Sequence, residues 1–327
     1  MTIVTNTATR YDMNGLRESL HDRIYNISPE ETPFIAGAGR GPAAKQTLEE
    51  WQTDSLAAAD GTNAQIEGDD ITSFDSTAAT VRVGNYTQIL RKTLILSDTL
   101  EVVDKAGRKS ELAYQLAKRG SEIKRDLETV CLRAQGGAAG SSSVARTLAG
   151  LNAFVKTNTS FYTTDGADPT YTSGVPSVAR TDGGTLRAFT ETIAKDVIQQ
   201  GWTSGANFNT LMVGPVNKQR VSTTFTGIAT RNYDLSNVSA KPTAAIASID
   251  VYVSDFGVLR VVPNRFQRER DAWFLDFEYV ELRFLRPLSQ VKLAKTGDAD
   301  KRMILQEVTL KVSQEAAIGG AFDLTTA

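Results

Sequence analysis

The chain contains one histidine and one cysteine, His21 and Cys131, in 327 residues. Histidine is the usual general base and metal ligand, and a nucleophilic cysteine needs a neighbouring base to activate it. A single cysteine forms neither an internal disulfide nor a structural zinc site, and it fits a reducing compartment. We interpret His21 as a surface or interface residue and Cys131, which lies on the apolar side of a predicted helix, as a buried inert thiol.

Two pairs of carboxylates are candidates for metal binding or acid-base catalysis: Asp69 with Asp70, and Asp298 with Asp300. Both pairs lie in polar turns, where aspartate stabilises the turn itself, and neither has the spacing of a calcium-binding loop. The glycine-rich segment 37–41 lacks the preceding strand and the Gly-Lys-Ser/Thr ending of a phosphate-binding loop. We therefore predict solvated turns at the carboxylates and a flexible linker at residues 37–41.

One basic cluster surrounds an aromatic residue, Phe266, and its members are Arg260, Arg265, Arg268 and Arg270. Glu269 and Asp271 offset part of its charge. Arginine is favoured in ion-paired turns and in subunit contacts, so we prefer these interpretations to nucleic-acid binding. We assign no catalytic, cofactor-binding or metal-binding residue, expect no cofactor, and predict that the chain is not an enzyme. An enzyme that uses carboxylates alone is kept as an alternative.

The overall composition excludes several classes of protein. Hydrophobic residues make up 41% of the chain and charged residues 23%, with 36 Lys and Arg against 38 Asp and Glu. The net charge of −2 provides no general basic surface for nucleic acid. No apolar run approaches the roughly 20 residues of a membrane span, and the N-terminus lacks the pattern of a signal peptide. The composition is that of a globular protein.

The first part of the chain predicts elements that extend away from a compact body. Residues 1–44 form an arm, with a short helix around Leu16, Leu20 and Ile24 and breaks at Pro29 and Pro33. Two strands follow, Lys45–Asp54 and Ala78–Ser97, the second with a predicted bulge near Gly84. They enclose a long polar segment, residues 55–77. A connection of this length is unusual inside a compact domain, so we predict a projecting hairpin.

A long helix is predicted for Asp104–Ala134, followed by a linker. Its apolar residues recur at helical spacing, and they are Leu112, Leu116, Ile123, Leu127, Val130 and Ala134. On the other face, two pairs at four-residue spacing predict exposed ion pairs, Lys118 with Glu122 and Lys124 with Glu128. The segment 136–143 reads GGAAGSSS, which is typical of a flexible linker.

The second half of the chain predicts a mixture of helices and strands. Amphipathic or buried patterns indicate, in order, a helix at 186–202, a strand at 209–214, a helix at 215–221, a strand pair at 249–253 and 258–262, a strand pair or one bent strand at 273–285, and a hairpin of 289–294 with 303–312. The fold class is α+β. An arm, a projecting hairpin and a long helix cannot stabilise a monomer by themselves, so we infer self-assembly.

Two stretches of the sequence resemble a family of major capsid proteins of tailed phages and prophages. The opening carries the residues Tyr11-Asp12, Gly15, Arg17-Glu18, Leu20, Asp22, Ile24-Tyr25-Asn26-Ile27-Ser28-Pro29 and Glu31-Thr32-Pro33-Phe34. The closing segment carries Phe284-Leu285-Arg286-Pro287, Leu293-Ala294-Lys295-Thr296-Gly297-Asp298 and Thr309-Leu310. The resemblance covers both ends of the chain and is loose from about residue 140 to residue 270.

The resemblance implies a Hong Kong 97-type capsid fold with four parts. These are an N-terminal arm at 1–44, an extended loop (long β-hairpin) at 45–92, a peripheral domain at 93–150 and 285–327 with a spine helix at about 104–134, and an axial domain at 151–284. The implied function is that of a major capsid protein. Hexamers and pentamers would assemble into an icosahedral shell around double-stranded DNA, with the arm and the extended loop contacting neighbouring subunits.

The resemblance also implies partners and a location. The sequence has no long coiled N-terminal segment that would serve as a built-in scaffold, so we expect a separate scaffolding protein, together with a portal. The packaged DNA is enclosed without specific binding, no membrane is involved, and no residue is assigned to a covalent crosslink. We expect the protein in the virion shell after synthesis in the host cytoplasm. A prokaryotic nanocompartment shell of the same fold is the alternative.

Overall fold

The computed structural model describes residues 28–68, 70, 74–225 and 250–326. His21, Asp69 and the predicted arm helix lie outside them. The helices are α1 (Pro33–Gly37), α2 (Asp98–Val102), α3 (Glu111–Leu132), α4 (Leu151–Phe154), α5 (Glu191–Thr203) and α6 (Pro215–Thr224). The strands are β1 (Gly39–Arg40), β2 (Leu48–Thr53), β3 (Val81–Tyr86), β4 (Gln88–Ser97), β5 (Asn158–Ser160), β6 (Thr170–Thr172), β7 (Val175–Val178), β8 (Thr210–Val213), β9 (Val251–Ser254), β10 (Gly257–Pro263), β11 (Ala272–Leu275), β12 (Val280–Lys292), β13 (Ala299–Val312) and β14 (Ile318–Ala321).

A four-stranded sheet in the order β1-β12-β13-β4 is built around the long β12–β13 hairpin. The predicted hairpin is confirmed, although both strands are longer than expected. The register of β12 against β13 shifts between Phe284 and Arg286 and again between Arg286 and Ser289, and Pro287 lies within the second interval. Proline cannot donate to the ladder, which explains why the regular pairing breaks there.

A six-stranded sheet in the order β5-β14-β11-β8-β10-β9 forms the second unit. Strands β8 and β11 lie at its centre and are buried throughout. The predicted segment 273–285 is two strands that do not pair with each other, because a short 3-10 turn at Phe277–Tyr279 redirects the chain from one sheet to the other. Strand β14 belongs to this sheet, where it pairs with β11 and β5.

The six-stranded sheet is covered by apolar side chains on both faces. On one face Met212, Trp273 and Leu275 pack into a core shared with α3 and the four-stranded sheet. On the other face Leu211 and Phe274 pack against α5 and α6. Since successive strand residues point to opposite faces, two adjacent buried residues require two cores. The sheet therefore joins the two halves of the molecule.

The extended loop leaves the body through the antiparallel pair β2–β3. The predicted strand 78–97 is two strands, β3 and β4, which belong to different sheets and meet at Thr87. No register shift occurs in the β2–β3 pair, so the bulge predicted near Gly84 is wrong. The change of direction lies three residues later, at Thr87, where the chain passes from one sheet into the other.

Helix α3 is shorter than the predicted spine helix because its N-terminus is capped. Ser110 accepts a hydrogen bond from the Ala113 amide, and the Glu101 carboxylate accepts hydrogen bonds from the amides of Glu111 and Leu112. These contacts satisfy amides that have no partner inside the helix. Farther along, the predicted apolar side is confirmed by the burial of Ile123 and Leu127.

Both segments predicted as flexible linkers are held by contacts with the body at their glycines, although residues 138–143 are exposed. Gly37 ends α1, and a side chain there would overlap the ring of Phe277, with a Cβ about 2.7 Å from the ring. The segment 136–143 is the first part of a loop that is closed by an Ala138–Thr147 bridge, and Gly137 donates to the Pro176 carbonyl at 2.8 Å. The glycines permit close approach of neighbouring chain segments, so composition was misleading here.

Replacing one phenylalanine in the arm and one in the extended loop tests whether the end of the arm is packed in the core while the loop is not. Phe34 is fully buried and Phe74 is exposed. We expect Phe34→Ala to lower the free energy of unfolding by about 3–5 kcal/mol, because it empties a core site. The same substitution at Phe74 should change it by less than about 0.5 kcal/mol. Chemical denaturation of the unassembled subunit measures both, and equal effects would contradict the assigned packing of the arm.

Candidate functional site

A buried carboxylate, Glu128, connects three parts of the chain. Its Oε1 accepts hydrogen bonds from the Phe34 amide at 2.8 Å and from the Asn264 Nδ2 at 2.6 Å, and its Oε2 accepts from the Ile35 amide at 2.9 Å. Glu128 belongs to α3, Phe34 and Ile35 to the end of the predicted arm, and Asn264 to the segment after β10. One side chain therefore holds the arm, the spine helix and the six-stranded sheet together.

The predicted pairing of Glu128 with Lys124 on an exposed helix face is wrong, because Glu128 has no exposed surface. Burial raises its pKa, and the hydrogen bonds from Ile35, Phe34 and Asn264 oppose that shift. The other predicted pair is also replaced, since Glu122 pairs with Arg119 at 2.6 Å. Helical spacing identifies neighbours on one helix, but it does not reveal a partner 94 residues away.

A second buried polar cluster holds the root of the extended loop at Thr87. The Thr87 Oγ1 donates to Glu307 at 2.8 Å, and the Thr87 carbonyl accepts from the Arg146 Nε at 2.6 Å. Arg146 also pairs with Glu307, whose other oxygen accepts from the Arg286 Nε at 2.8 Å. We call Thr87, Arg146, Arg286 and Glu307 the root cluster.

The hydrogen bonds and charges of the root cluster stabilise the ionised form of the Glu307 carboxylate. Burial acts to raise the pKa of Glu307, but hydrogen bonds from Thr87 and Arg286 and the charges of both arginines outweigh it and lower the pKa. Nearby, Asn85 donates to the carbonyls of Ala149 and Leu310 and accepts from the Ala149 amide at 2.8 Å. The base of the loop is thus fixed on both sides of the junction.

Beyond this base the described residues of the extended loop form no core of their own. Every described residue from 54 to 80 is exposed. The apolar side chains are among the most accessible of the described residues, with Leu56 98%, Ile66 79% and Phe74 86% exposed. Isolated exposed apolar residues are common, but three on one projecting segment are typical of a surface that packs against another molecule.

A second exposed apolar surface lies at one edge of the six-stranded sheet. Trp202 at the end of α5 and Phe256 in the β9–β10 turn have ring centroids 5.3 Å apart, and both are exposed. Val251 and Val253 of the edge strand β9 are also more than half exposed. Tryptophan and phenylalanine are enriched in protein interfaces.

The arginine-rich turn is occupied by ion pairs within the chain. Arg268 pairs with Asp182, and Arg270 pairs with Asp323 at 2.9 Å and with Asp182 at 3.6 Å. The ion-paired turn that the sequence favoured is therefore present. Asp271 lies beneath it without exposed surface, and burial raises its pKa to about 7, with Arg268 opposing the shift.

The other candidates from the sequence do not converge on one site. Cys131 is buried, and desolvation raises the pKa of its thiol, in agreement with an inert role. Asp70 is exposed, and Asp300 forms an ion pair with Arg302 at 2.9 Å. Among the described residues, no group of three His, Cys, Asp or Glu side chains could bind a metal, and no helix is long and apolar enough to cross a membrane.

Comparison with protein-family models decides the family. The model described as "SU10 major capsid protein" matches residues 3–325, which is almost the whole chain. The chain belongs to the SU10 major capsid protein family. The elements that make up its candidate site, namely the arm contact at Glu128, the root cluster and the extended loop, are therefore elements of a capsid protein.

Individual relatives support the family and the fold. The major capsid protein of Escherichia phage Phieco32 is 43% identical over 125 residues, which are 38% of this chain and 35% of that relative. A capsid chain of Cyanophage A-1(L) superposes with a TM-score of 0.65 at 12% identity, over 95% of this chain and 98% of that chain. A chain from the capsid of a native GTA particle gives 0.60 at 13% identity, over 95% and 96%. These similarities confirm the predicted Hong Kong 97-type fold.

Replacing Glu128 tests its role in holding the arm of the capsid protein. Glu128→Gln puts an NH₂ group where one oxygen accepts an amide, so we expect the free energy of unfolding to fall by about 1–3 kcal/mol. The same substitution at the exposed Glu278 is the control. The pKa of Glu128 is raised in the folded state. The contribution of Glu128 to the free energy of unfolding should therefore weaken as the pH rises above the pKa that this group has in the unfolded chain. A cost equal to that of Glu278→Gln would show that Glu128 does not hold the arm.

Asp271 provides a separate test of pH dependence. Its pKa is raised in the fold, so the folded state binds its proton more tightly than the unfolded state does. The contribution to stability is complete at low pH and is lost as the pH rises through about 7. We expect Asp271→Asn to flatten the pH dependence of the unfolding free energy between about pH 4 and pH 7, the interval between the unfolded and folded pKa values of this group. An unchanged slope in urea titrations at several pH values would contradict this.

Proposed function

We propose that the chain forms the shell of a tailed-phage head, assembling as hexamers and pentamers into an icosahedral capsid around double-stranded DNA. The observation that supports this most is the extended loop, which exposes Leu56, Ile66 and Phe74 and buries none of its described residues between 54 and 80. Such a segment gains stability only by packing against another molecule. In a shell that molecule is a neighbouring subunit, and burial of apolar surface is the main driving term.

The proposed roles of the chain segments follow the four parts predicted from the sequence. Residues 1–44 serve as the arm, 45–92 as the extended loop, 93–150 and 285–327 as the peripheral domain, and 151–284 as the axial domain. In this scheme β14 connects the peripheral segment to the axial sheet, since it pairs with β11 and β5. The exposed Trp202 and Phe256 lie in the axial part, which meets its copies at the centre of each capsomer.

The role needs subunit contacts rather than a chemical reaction, so we propose no catalytic residue and no cofactor. We further propose a separate scaffolding protein and a portal as partners, synthesis in the host cytoplasm, and a final location in the virion. The net charge of −2 supports a container that encloses DNA without binding it tightly. The root cluster and Glu128 would keep the loop and the end of the arm in position when subunits meet.

Electron microscopy of the purified protein, after size-exclusion chromatography, tests the proposed function. Uniform hollow particles, or rings of five and six subunits, are expected from the protein alone or with its scaffolding protein. A compact monomer that stays unassembled when scaffolding protein and portal are supplied would contradict the proposal.

Substitutions in the extended loop test whether its exposed apolar side chains form an assembly contact. We expect the triple variant Leu56→Ser, Ile66→Ser, Phe74→Ser to fold as the wild type does, because these side chains are exposed in the subunit. It should fail to form shells, since the apolar area for the contact is lost. The matched control, Leu56→Met, Ile66→Val, Phe74→Leu, keeps that area and should assemble. Normal shells from the serine variant, seen by electron microscopy, would show that the loop is not an assembly contact.

A further inference from the structure

Residues 318–325, which we call the C-terminal segment, insert a strand between two strands that are synthesised much earlier. Strand β14 pairs parallel with β5 and antiparallel with β11, so Gly319 lies opposite both Asn158 and Phe274. All other strands of the six-stranded sheet precede β14 in the chain. A strand from the interior of the sheet is therefore the last one to be made.

The apolar side chains of the C-terminal segment complete both cores of the subunit. Ile318 and Phe322 pack into the core that the sheet shares with α3. Ala321 and Leu324 pack into the core beneath α5 and α6. All four are fully buried. Before the segment arrives, each face of the sheet has an unfilled strip of apolar surface, so neither core is complete.

Phe322 closes the surroundings of a buried arginine. The Cζ atom of Arg180 lies 4.5 Å from the ring centroid of Phe322 and 4.3 Å from that of Phe161. The Phe322 ring also stands edge-on to Trp273, with centroids 5.2 Å apart. The Arg180 side chain has no exposed surface. Removing Phe322 would uncover this guanidinium, so the accessibility of Arg180 reports whether the C-terminal segment is in place.

Asp323 fastens the connection between β5 and α5 (residues 161–190) to the C-terminal segment. Its Oδ1 accepts hydrogen bonds from the Gly183 amide at 2.8 Å and from the Arg270 Nη2 at 2.9 Å. Its Oδ2 accepts from the Tyr162 amide at 3.1 Å. Two amides from opposite ends of one stretch of the connection therefore depend on a carboxylate that is synthesised more than a hundred residues later.

The four-stranded sheet does not depend on the C-terminal segment for its strand pairing. Its last strand in chain order, β13, ends at Val312 and pairs with β12 and β4. Segments that have left the ribosome can fold while the rest of the chain is being made. The two sheets therefore differ in the point of synthesis at which their strand pairing can be completed.

We propose that the six-stranded sheet closes only after residues 318–325 have left the ribosome, and that this order keeps chains still under synthesis out of assembling shells. The second part rests on the proposed function, because the axial domain contains most of this sheet and meets its copies at the capsomer centre. Pairing between strands that are distant in sequence forms late, since the intervening chain must first be ordered.

Stalled ribosome complexes test the order of folding. The chain through residue 327 is stalled either directly, with residues 318–325 still in the exit tunnel, or after a long glycine-serine linker that carries them clear of it. Trypsin cleavage after Arg180 is the readout. We expect cleavage to be at least about tenfold faster without the linker, because the buried site is then open. Equal rates in the two complexes would overturn the proposal.

Asp323→Asn shows whether the C-terminal segment itself protects the connection. Asparagine tolerates the φ of 58° at this position, but it replaces one accepting oxygen with NH₂. In the long-linker complex we expect cleavage after Arg180 to be about tenfold faster than in the wild type. Cleavage after Arg302 in β13 should be unchanged, and the control Asp165→Asn, at an exposed residue, should match the wild type at both sites.

Two results of this comparison would contradict the proposal. Unchanged cleavage after Arg180 in Asp323→Asn would show that the C-terminal segment does not hold the connection. Equal acceleration after Arg302 would show that the two sheets close together rather than in order.

Shell formation by released chains separates the inference from the proposed function. If released wild type protects Arg180 but forms no particles with scaffolding protein and portal, the proposed function fails and the order of folding stands. When wild type and Asp323→Asn are mixed during assembly, we expect the variant to be several-fold under-represented in the particles, as measured by mass spectrometry. Incorporation in proportion to supply would refute the exclusion of incompletely closed subunits.

Discussion

The extended loop can act at a distance from the body only because its root is rigid, and the buried hydrogen bonds at Thr87 provide that rigidity. A segment of exposed polar and apolar residues has no internal packing to set its direction. The direction is fixed instead where β3 leaves one sheet and β4 enters another, by Glu307 and Arg146. Buried polar groups are costly unless all of them are paired, and here both carboxylate oxygens of Glu307 have partners. The same contacts that satisfy Glu307 therefore orient the loop.

The arm depends on a comparable contact on another side of the spine helix. Glu128 accepts the first amides of α1, so the end of the arm is attached to the body before any neighbour is present. Asn264 adds the six-stranded sheet to the same carboxylate. The two sheets share one core around α3, and the two clusters tie the projecting segments to it. The subunit is thus a rigid centre with segments whose remaining surface is available to other copies.

Sequence patterns predicted the elements whose partners are local. The long hairpin of β12 and β13, the strand pair β9–β10 and the apolar side of α3 follow from alternation, turn residues and helical spacing, and the structure contains all three. Glu128 was placed on the solvent side because a lysine stands four residues before it. Its real partners are distant in sequence, and no local pattern contains that information.

The glycine-rich segments and the junction at Thr87 were missed for physical reasons of the same kind. Glycine favours flexible linkers and also permits close packing, and only the neighbouring chain decides between them. At Gly37 the neighbour is the ring of Phe277, which lies 240 residues away in the chain. Thr87 separates β3 from β4 by a single position and is itself a strand-forming residue, so the sequence shows no break at the junction. A signal existed in Asn85, because asparagine is depleted in strands and this residue lies two positions before the junction.

Hydrogen exchange of the free subunit and of assembled shells, followed peptide by peptide, tests the central claim most directly. In the free subunit we expect residues 54–80 to exchange at the rate of an unstructured chain, and the root amides of Gly84 and Thr87, which donate to Gly174 and Thr47, to be protected. In shells the loop should become protected by about tenfold or more, while the root changes little. A loop that exchanges equally fast in both states, or a root as labile as the loop, would contradict the account.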